Sequence, residues 1–155
     1  MLRFYKYCLG PVLLLQSRHL RKTALRLPEA AGPREGSIPS SNLTRPLRLL
    51  FLGDSSAAGV GVARQEQALA LQTSELLAAR LDVPVEWQLL AKSGVNTQQA
   101  LKLLPRGLLK PIDVLITALG TNDVTSQRSA SQFLADYHGH RAVESHRSAV
   151  ARKRA

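Results

Sequence analysis

The sequence predicts an α/β domain in which a parallel sheet carries helices on its faces. Two observations predict it. Short apolar runs at 47–52, 83–91 and 112–119 alternate with stretches of helical spacing. Each run ends in a glycine-containing loop. The body that holds them is close to neutral, with eight basic and seven acidic groups over residues 47–135. Strand, helix, strand, helix, strand is the order that builds parallel neighbours through helical crossovers. With 155 residues and 45% hydrophobic content, the chain has room for one domain with a real core. Aromatic residues make up only 5%, so that core is expected to be mainly Leu, Ala and Val.

The net charge of +10 belongs to the two ends. Residues 1–26 carry Arg3, Lys6, Arg18, Arg21, Lys22 and Arg26 and no acid; residues 137–155 add five basic groups against Glu144. A nucleic-acid-binding fold would place a basic stripe on the body itself, so no nucleic-acid partner is expected. Arg3 and Lys6 ahead of the apolar stretch 8–15 imitate a signal peptide, but no small-residue cleavage site follows. After Pro11 a helical projection gathers Leu13, Leu20, Ala24 and Leu27 on one side and Arg18, Arg21, Lys22 and Arg26 on the other. Residues 1–27 are thus expected as a basic amphipathic segment, with 12–27 able to lie on an anionic membrane surface. The alternatives are a helix docked on the domain or a poorly ordered tail. No apolar run approaches the ~20 residues that span a bilayer. A cytoplasmic or peripheral membrane location is expected over secretion. Cys8 is the one cysteine, so no internal disulfide and no Cys/His zinc cluster can form, and no cofactor or metal is expected. Residues 28–46, rich in Pro, Gly and Ser, read as a linker.

The body opens with Leu47-Arg48-Leu49-Leu50-Phe51-Leu52, a strand buried on both faces and closed by Gly53. Residues 65–81 place Ala68, Leu69, Leu71, Leu76, Leu77, Ala78 and Leu81 at helical spacing. Val83 to Ala91 forms the second strand, ending at Lys92-Ser93-Gly94. Thr97 is the expected N-cap of a helix through about Leu104. Ile112 to Leu119 makes the third strand, and residues 129–136 begin a third helix.

In parallel sheets, functional groups collect at the carboxyl ends of strands. Three such ends carry Gly53-Asp54-Ser55, Ser93-Gly94-Val95-Asn96 and Gly120-Thr121-Asn122-Asp123. A serine at a sharp strand–helix turn exposes its hydroxyl above the sheet. The Ser55 and Gly94 N–H groups and the Asn122 amide would surround it as an oxyanion hole. Taken singly, Asp54 and Ser55 read as a helix cap, Gly94 as a turn, and Asn122-Asp123 as an Asx-turn or cap. The stretch 53–61 fits neither the phosphate-loop pattern nor the dinucleotide fingerprint.

Together, in this order, the blocks resemble the SGNH (GDSL-type) hydrolases. Residues 53–61 are similar to that family's first block, with Ser56 where its Leu stands; Gly94 matches the second, and Gly120 to Asp123 the third. The resemblance covers about 47–136 and implies a three-layer α/β/α, flavodoxin-like fold. It implies Ser55 as nucleophile, with Gly94 and Asn122 completing the oxyanion hole, in a serine carboxylic-ester hydrolase. Acyl or acetyl esters, small-molecule or lipid, would be the substrates. The family's late Asp-x-x-His block, source of the general base, has no counterpart; Asp136-Tyr137-His138 has the wrong spacing. Composition changes near Tyr137, and His138, His140 and His146 fall in a basic tail at 137–155 that is expected to be disordered. A frameshifted or truncated gene end is the expectation, with the fold incomplete at the C-terminus and this chain nearly inactive. A tail histidine standing in as base is the lesser expectation. The reading from another class is a non-catalytic remnant or membrane-surface binding module.

Overall fold

The computed structural model describes residues 2–23, 25, 27–104 and 110–139. Four strands form one sheet: β1 (Glu35–Ile38), β2 (Leu47–Gly53), β3 (Val85–Ala91) and β4 (Val114–Ala118), in the order β1-β3-β2-β4. β3, β2 and β4 run parallel, with Leu49 opposite Trp87 on one side and Val114 on the other. These are the three strands expected from the apolar runs, trimmed by two residues at the start of β3 and β4.

The period of two along β2 decides what each face receives. Leu49 and Phe51 pack with Val85, Trp87 and Leu89 under helix α2 (Leu69–Leu81), which contributes Ala70 and Ala78. Leu52 points to the opposite face, where Val95 of the loop after β3 and Ala100 of the next helical turn meet it. That turn is α3 (Thr97–Leu101), so the sheet is sandwiched between helical layers. Leu49, Leu50, Phe51 and Leu52 are all at most 1% exposed, as a doubly covered central strand requires. Cutting Phe51 back to Ala would cost about 3–5 kcal/mol, because such a site cannot collapse around the void.

The expected linker is a correction. Within 28–46, β1 pairs antiparallel with β3, with Gly36 opposite Trp87. The segment before it is also built in: Ala30 N–H donates to Ala58 C=O at 3.1 Å and Ala31 N–H to Ala63 C=O at 3.0 Å. β3 would otherwise leave a ladder of backbone groups unpaired on that side, and a four-residue strand between Pro33 and Pro39 covers it. Gly, Pro and Ser content marks irregular chain; it does not report whether that chain is packed.

Helix α1 (Leu2–Thr23) runs through Pro11 and ends before the expected 27. Leu9, Val12, Leu13, Leu15 and Leu20 on it are exposed. Among the described residues, no helix is long and apolar enough to cross a membrane.

After β4 come α4 (Thr121–Thr125) and a helix over 130–139, here α5. The helix expected to dissolve near Tyr137 continues past it. Tyr137 stacks on Phe133 with ring centroids 5.9 Å apart, and its hydroxyl lies 3.3 Å from Thr117 Oγ1 on β4. Residues 137–139 therefore belong to the body, contrary to the expected tail; 140–155, with His140 and His146, lie outside the described residues.

Candidate active site

The first loop is set by the end of β2. A Cβ on Gly53 would come within 2.4 Å of Ala57 Cβ and 2.9 Å of Ala118 C=O, so only glycine permits this reversal. Asp54 N–H donates to Ala118 C=O (3.1 Å), Ala58 N–H to Asp54 C=O (2.9 Å) and Val60 N–H to Ser55 C=O (3.0 Å). No regular helix starts at Ser55, contrary to the expected strand–helix turn. Gly59 and Gly61 take positive φ, and the chain turns repeatedly until α2 begins at Leu69. Ser55 is half-buried at the rim, and its hydroxyl makes no hydrogen bond among the described residues. The buried Asp54 carboxylate accepts from Ser56 N–H (3.1 Å) and Ser56 Oγ (2.9 Å).

The second loop follows β3. Lys92 N–H donates to Gly53 C=O at 3.2 Å, which joins it to the first loop. Val95 N–H reaches Lys92 C=O at 3.4 Å, and Gly94 has φ +83°, the value of the third residue in a type II turn. Gly94 is exposed, and a Cβ built on it meets nothing within 4 Å. Asn96, not the expected Thr97, caps α3: its side chain takes Gln99 N–H (2.9 Å) while Gln99 returns to Asn96 N–H (3.0 Å). Thr97 is engaged elsewhere.

The third loop ties the other two together. Asn122 Nδ2 donates to Asp54 Oδ2 at 3.2 Å and to Val95 C=O at 2.9 Å. One amide thus touches the neighbour of Ser55 and the neighbour of Gly94, so the three sequence-predicted residues sit at one rim. Beside it, the buried Asp123 Oδ2 accepts from Thr97 N–H (2.9 Å) and Thr97 Oγ1 (2.7 Å). Arg128 Nε lies 3.0 Å from Asp123 Oδ1, an ionic contact off the hydrogen-bonding direction. Arg128 also pairs with Asp136 on α5.

Sequence reading missed the partners that hold this rim. Asp54 and Asp123 stand inside the strand-end motifs, where the local pattern suggests caps, whereas Asn122 and Thr97, which they hold, lie 68 and 26 positions away. Glu29 and Arg34, from the expected linker, were not singled out. Glu29 Oε1 accepts Ser93 N–H at 2.6 Å and pairs through Oε2 with Arg34. The Ser93 hydrogen bond, against the opposing cost of desolvation and with help from Arg34, holds the Glu29 carboxyl below its ordinary value. No imidazole among the described residues is hydrogen-bonded to Ser55, and His138 is exposed on α5. Among the described residues no group of three or more His, Cys, Asp or Glu could hold a metal ion.

The family model for GDSL-like Lipase/Acylhydrolase matches residues 51–154. Among solved structures, the fold is similar to AlinE4, an SGNH-hydrolase family esterase, with TM-score 0.55 and 20% identity over 63% of this chain and 52% of that one. It is also similar to TesA, with TM-score 0.56 and 19% identity over 65% of this chain and 56% of that one. The chain therefore spans about half the length of the solved structures it matches. No curated protein sequence matches it.

Proposed function

The chain belongs to the GDSL-like lipase/acylhydrolase (SGNH) family, and from that membership we propose that it carries an ester-hydrolysing site centred on Ser55. The observation that carries this reading is the Asn122 amide, which bridges the Ser55 loop and the Gly94 loop. Ser55 Oγ attacks the carbonyl carbon of an acyl or acetyl ester, and the carbonyl π electrons move onto oxygen. That oxyanion meets the Gly94 N–H and the Ser55 N–H. Asn122 joins them by redirecting one of its two Nδ2–H donors from Val95 C=O or Asp54 to hydrogen-bond the oxyanion. Collapse expels the alcohol, which takes up the proton lost by Ser55, and leaves an acyl-enzyme. Water then repeats the sequence and frees the acid. The step needs a proton acceptor at Ser55, and the described residues do not include one.

Substrates are small-molecule or lipid esters in this reading. The exposed Leu9, Val12, Leu13, Leu15 and Leu20 of α1, in a stretch with six basic groups and no acid, support peripheral contact with an anionic membrane. The same exposed helix favours the second reading, a surface-binding module without turnover. Turnover of a short-chain nitrophenyl ester by residues 1–155, lost in Ser55→Ala, supports the esterase. Turnover that survives Ser55→Ala overturns the site, and no turnover in the parent leaves the binding module.

A further inference from the structure

We propose that Glu29, held by Arg34, is a positioning residue that fixes the Lys92–Val95 turn so that the Gly94 N–H is free for a substrate oxygen. This rests on the proposed ester-hydrolysing site and places part of its support in a segment outside the matched family region, 51–154.

The brace spans both loops. Glu29 accepts Ser93 N–H at 2.6 Å with one oxygen and binds Arg34 Nη2 at 2.5 Å with the other. Arg34 Nη1 in turn donates to Ala91 C=O at 2.6 Å, and Arg34 C=O takes Leu89 N–H at 2.7 Å. The two contacts at Ala91 and Ser93 fall on either side of Lys92, where β3 becomes the turn. On the other side, Ala30 N–H is bonded to Ala58 C=O, three residues beyond Ser55. Glu29 therefore refers the position of the second loop to the first.

What this does follows from turn geometry. Types I and II differ by a half-rotation of the central peptide, here Ser93–Gly94. In type I the N–H groups of the second and third residues point to the same side, and one carboxylate takes both. In type II they point to opposite sides. Gly94 at φ +83° is in the type II form. Ser93 N–H goes to Glu29; in the type II form Gly94 N–H points to the other side, and it has no acceptor among the described residues. Without Glu29 the Ser93–Gly94 peptide loses its fixed neighbour and rotates more freely. A donor that is aimed part of the time stabilises an oxyanion less than one already in place.

The test uses the full 155-residue chain, uniformly ¹⁵N-labelled, as parent, Glu29→Ala and Glu29→Gln. Three quantities are read: the Gly94 amide shift and Ser93 amide exchange, the rate of Ser55 phosphonylation by a fluorophosphonate probe, and the melting temperature. Deleting an oxyanion donor costs about 10²–10³-fold, so Glu29→Ala, which only loosens one, should slow labelling about tenfold. It should also move the Gly94 resonance and speed Ser93 exchange, with only the small fall in melting temperature expected of a part-exposed pair. Glu29→Gln keeps an acceptor for Ser93 N–H and should restore most of the rate, which a merely structural loss would not predict. An unchanged Gly94 resonance and Ser93 exchange in Glu29→Ala overturns the proposal. So does a displaced turn with an unchanged labelling rate. If the parent is not labelled, the esterase reading falls, while the Gly94 and Ser93 amides still decide whether Glu29 holds the turn.

Discussion

Two carboxylate–arginine pairs flank the same loop, and they differ mainly in burial. On one side Asp123 and Arg128 have side chains 4% and 15% exposed; on the other Glu29 and Arg34 are 30% and 40% exposed. Each carboxylate accepts a backbone N–H of the loop, Thr97 in one case and Ser93 in the other. Removing one partner of a buried pair strands a charge away from water, while an exposed charge is rehydrated. The inner pair should therefore govern whether this end of the molecule stays folded. The outer pair should govern only how its turn is aimed.

The sharpest way to break that contrast is Asp123→Ala. It withdraws an acceptor from both Thr97 groups while Arg128 keeps Asp136 as a partner, and should destabilise by about 1–3 kcal/mol in urea unfolding. A loss no larger than that of Glu29→Ala would show that burial is not the deciding variable. Asn122→Ala comes next. If the esterase reading holds, probe labelling of Ser55 should fall by about 10²–10³-fold, accompanied by some stability loss because Asp54 and Val95 C=O lose a donor. Stability loss with full labelling would make Asn122 a structural bridge and nothing more.

Acid sharpens the comparison on the outer side. Glu29 is held below its ordinary value by the Ser93 N–H and Arg34. For Asp113, desolvation raises the carboxyl but is outweighed by hydrogen bonds from Arg48 and Arg45, so the net direction is again downward. A carboxylate whose folded value is depressed contributes stability above its unfolded value, about 4, and loses it as pH falls through the folded one. Stability should decline below about pH 4, and both Glu29→Gln and Asp113→Asn should flatten that decline in melting curves taken across pH. An unaltered acid slope in both variants would locate the loss in other carboxylates. The smallest effect is expected at Arg64 and Glu66, which pair with each other at the surface. Glu66→Ala should leave the melting temperature where it is; a clear drop would mean that exposed pairs matter here after all.

Much of the fold was legible from local pattern. Leu47 to Leu52, Val83 to Ala91 and Ile112 to Leu119 became β2, β3 and β4 because an apolar run bounded by glycine has few other ways to bury itself. That Ser55, Gly94 and Asn122 share one rim was legible for a related reason. Parallel strands all deliver their carboxyl ends to one side, so three motifs at three strand ends must share a rim. The capping of α3 was misplaced by one residue because Thr97 and Asn96 both suit an N-cap; Gln99 closes a capping box with Asn96, while Thr97 turns to Asp123.

What the tertiary structure alone decided lies where partners are far apart in the chain. Glu29 and Ser93 are separated by 64 positions and Asn122 and Asp54 by 68. No period of two or 3.6 carries such a pairing, because periodicity reports which face a residue occupies and not what arrives opposite it. Residues 28–46 look like unpacked chain by composition, yet β1 fills the side of β3 that β2 leaves open. An unpaired sheet edge attracts whatever short strand can reach it, and that demand is created by the assembled sheet rather than by the segment that answers it.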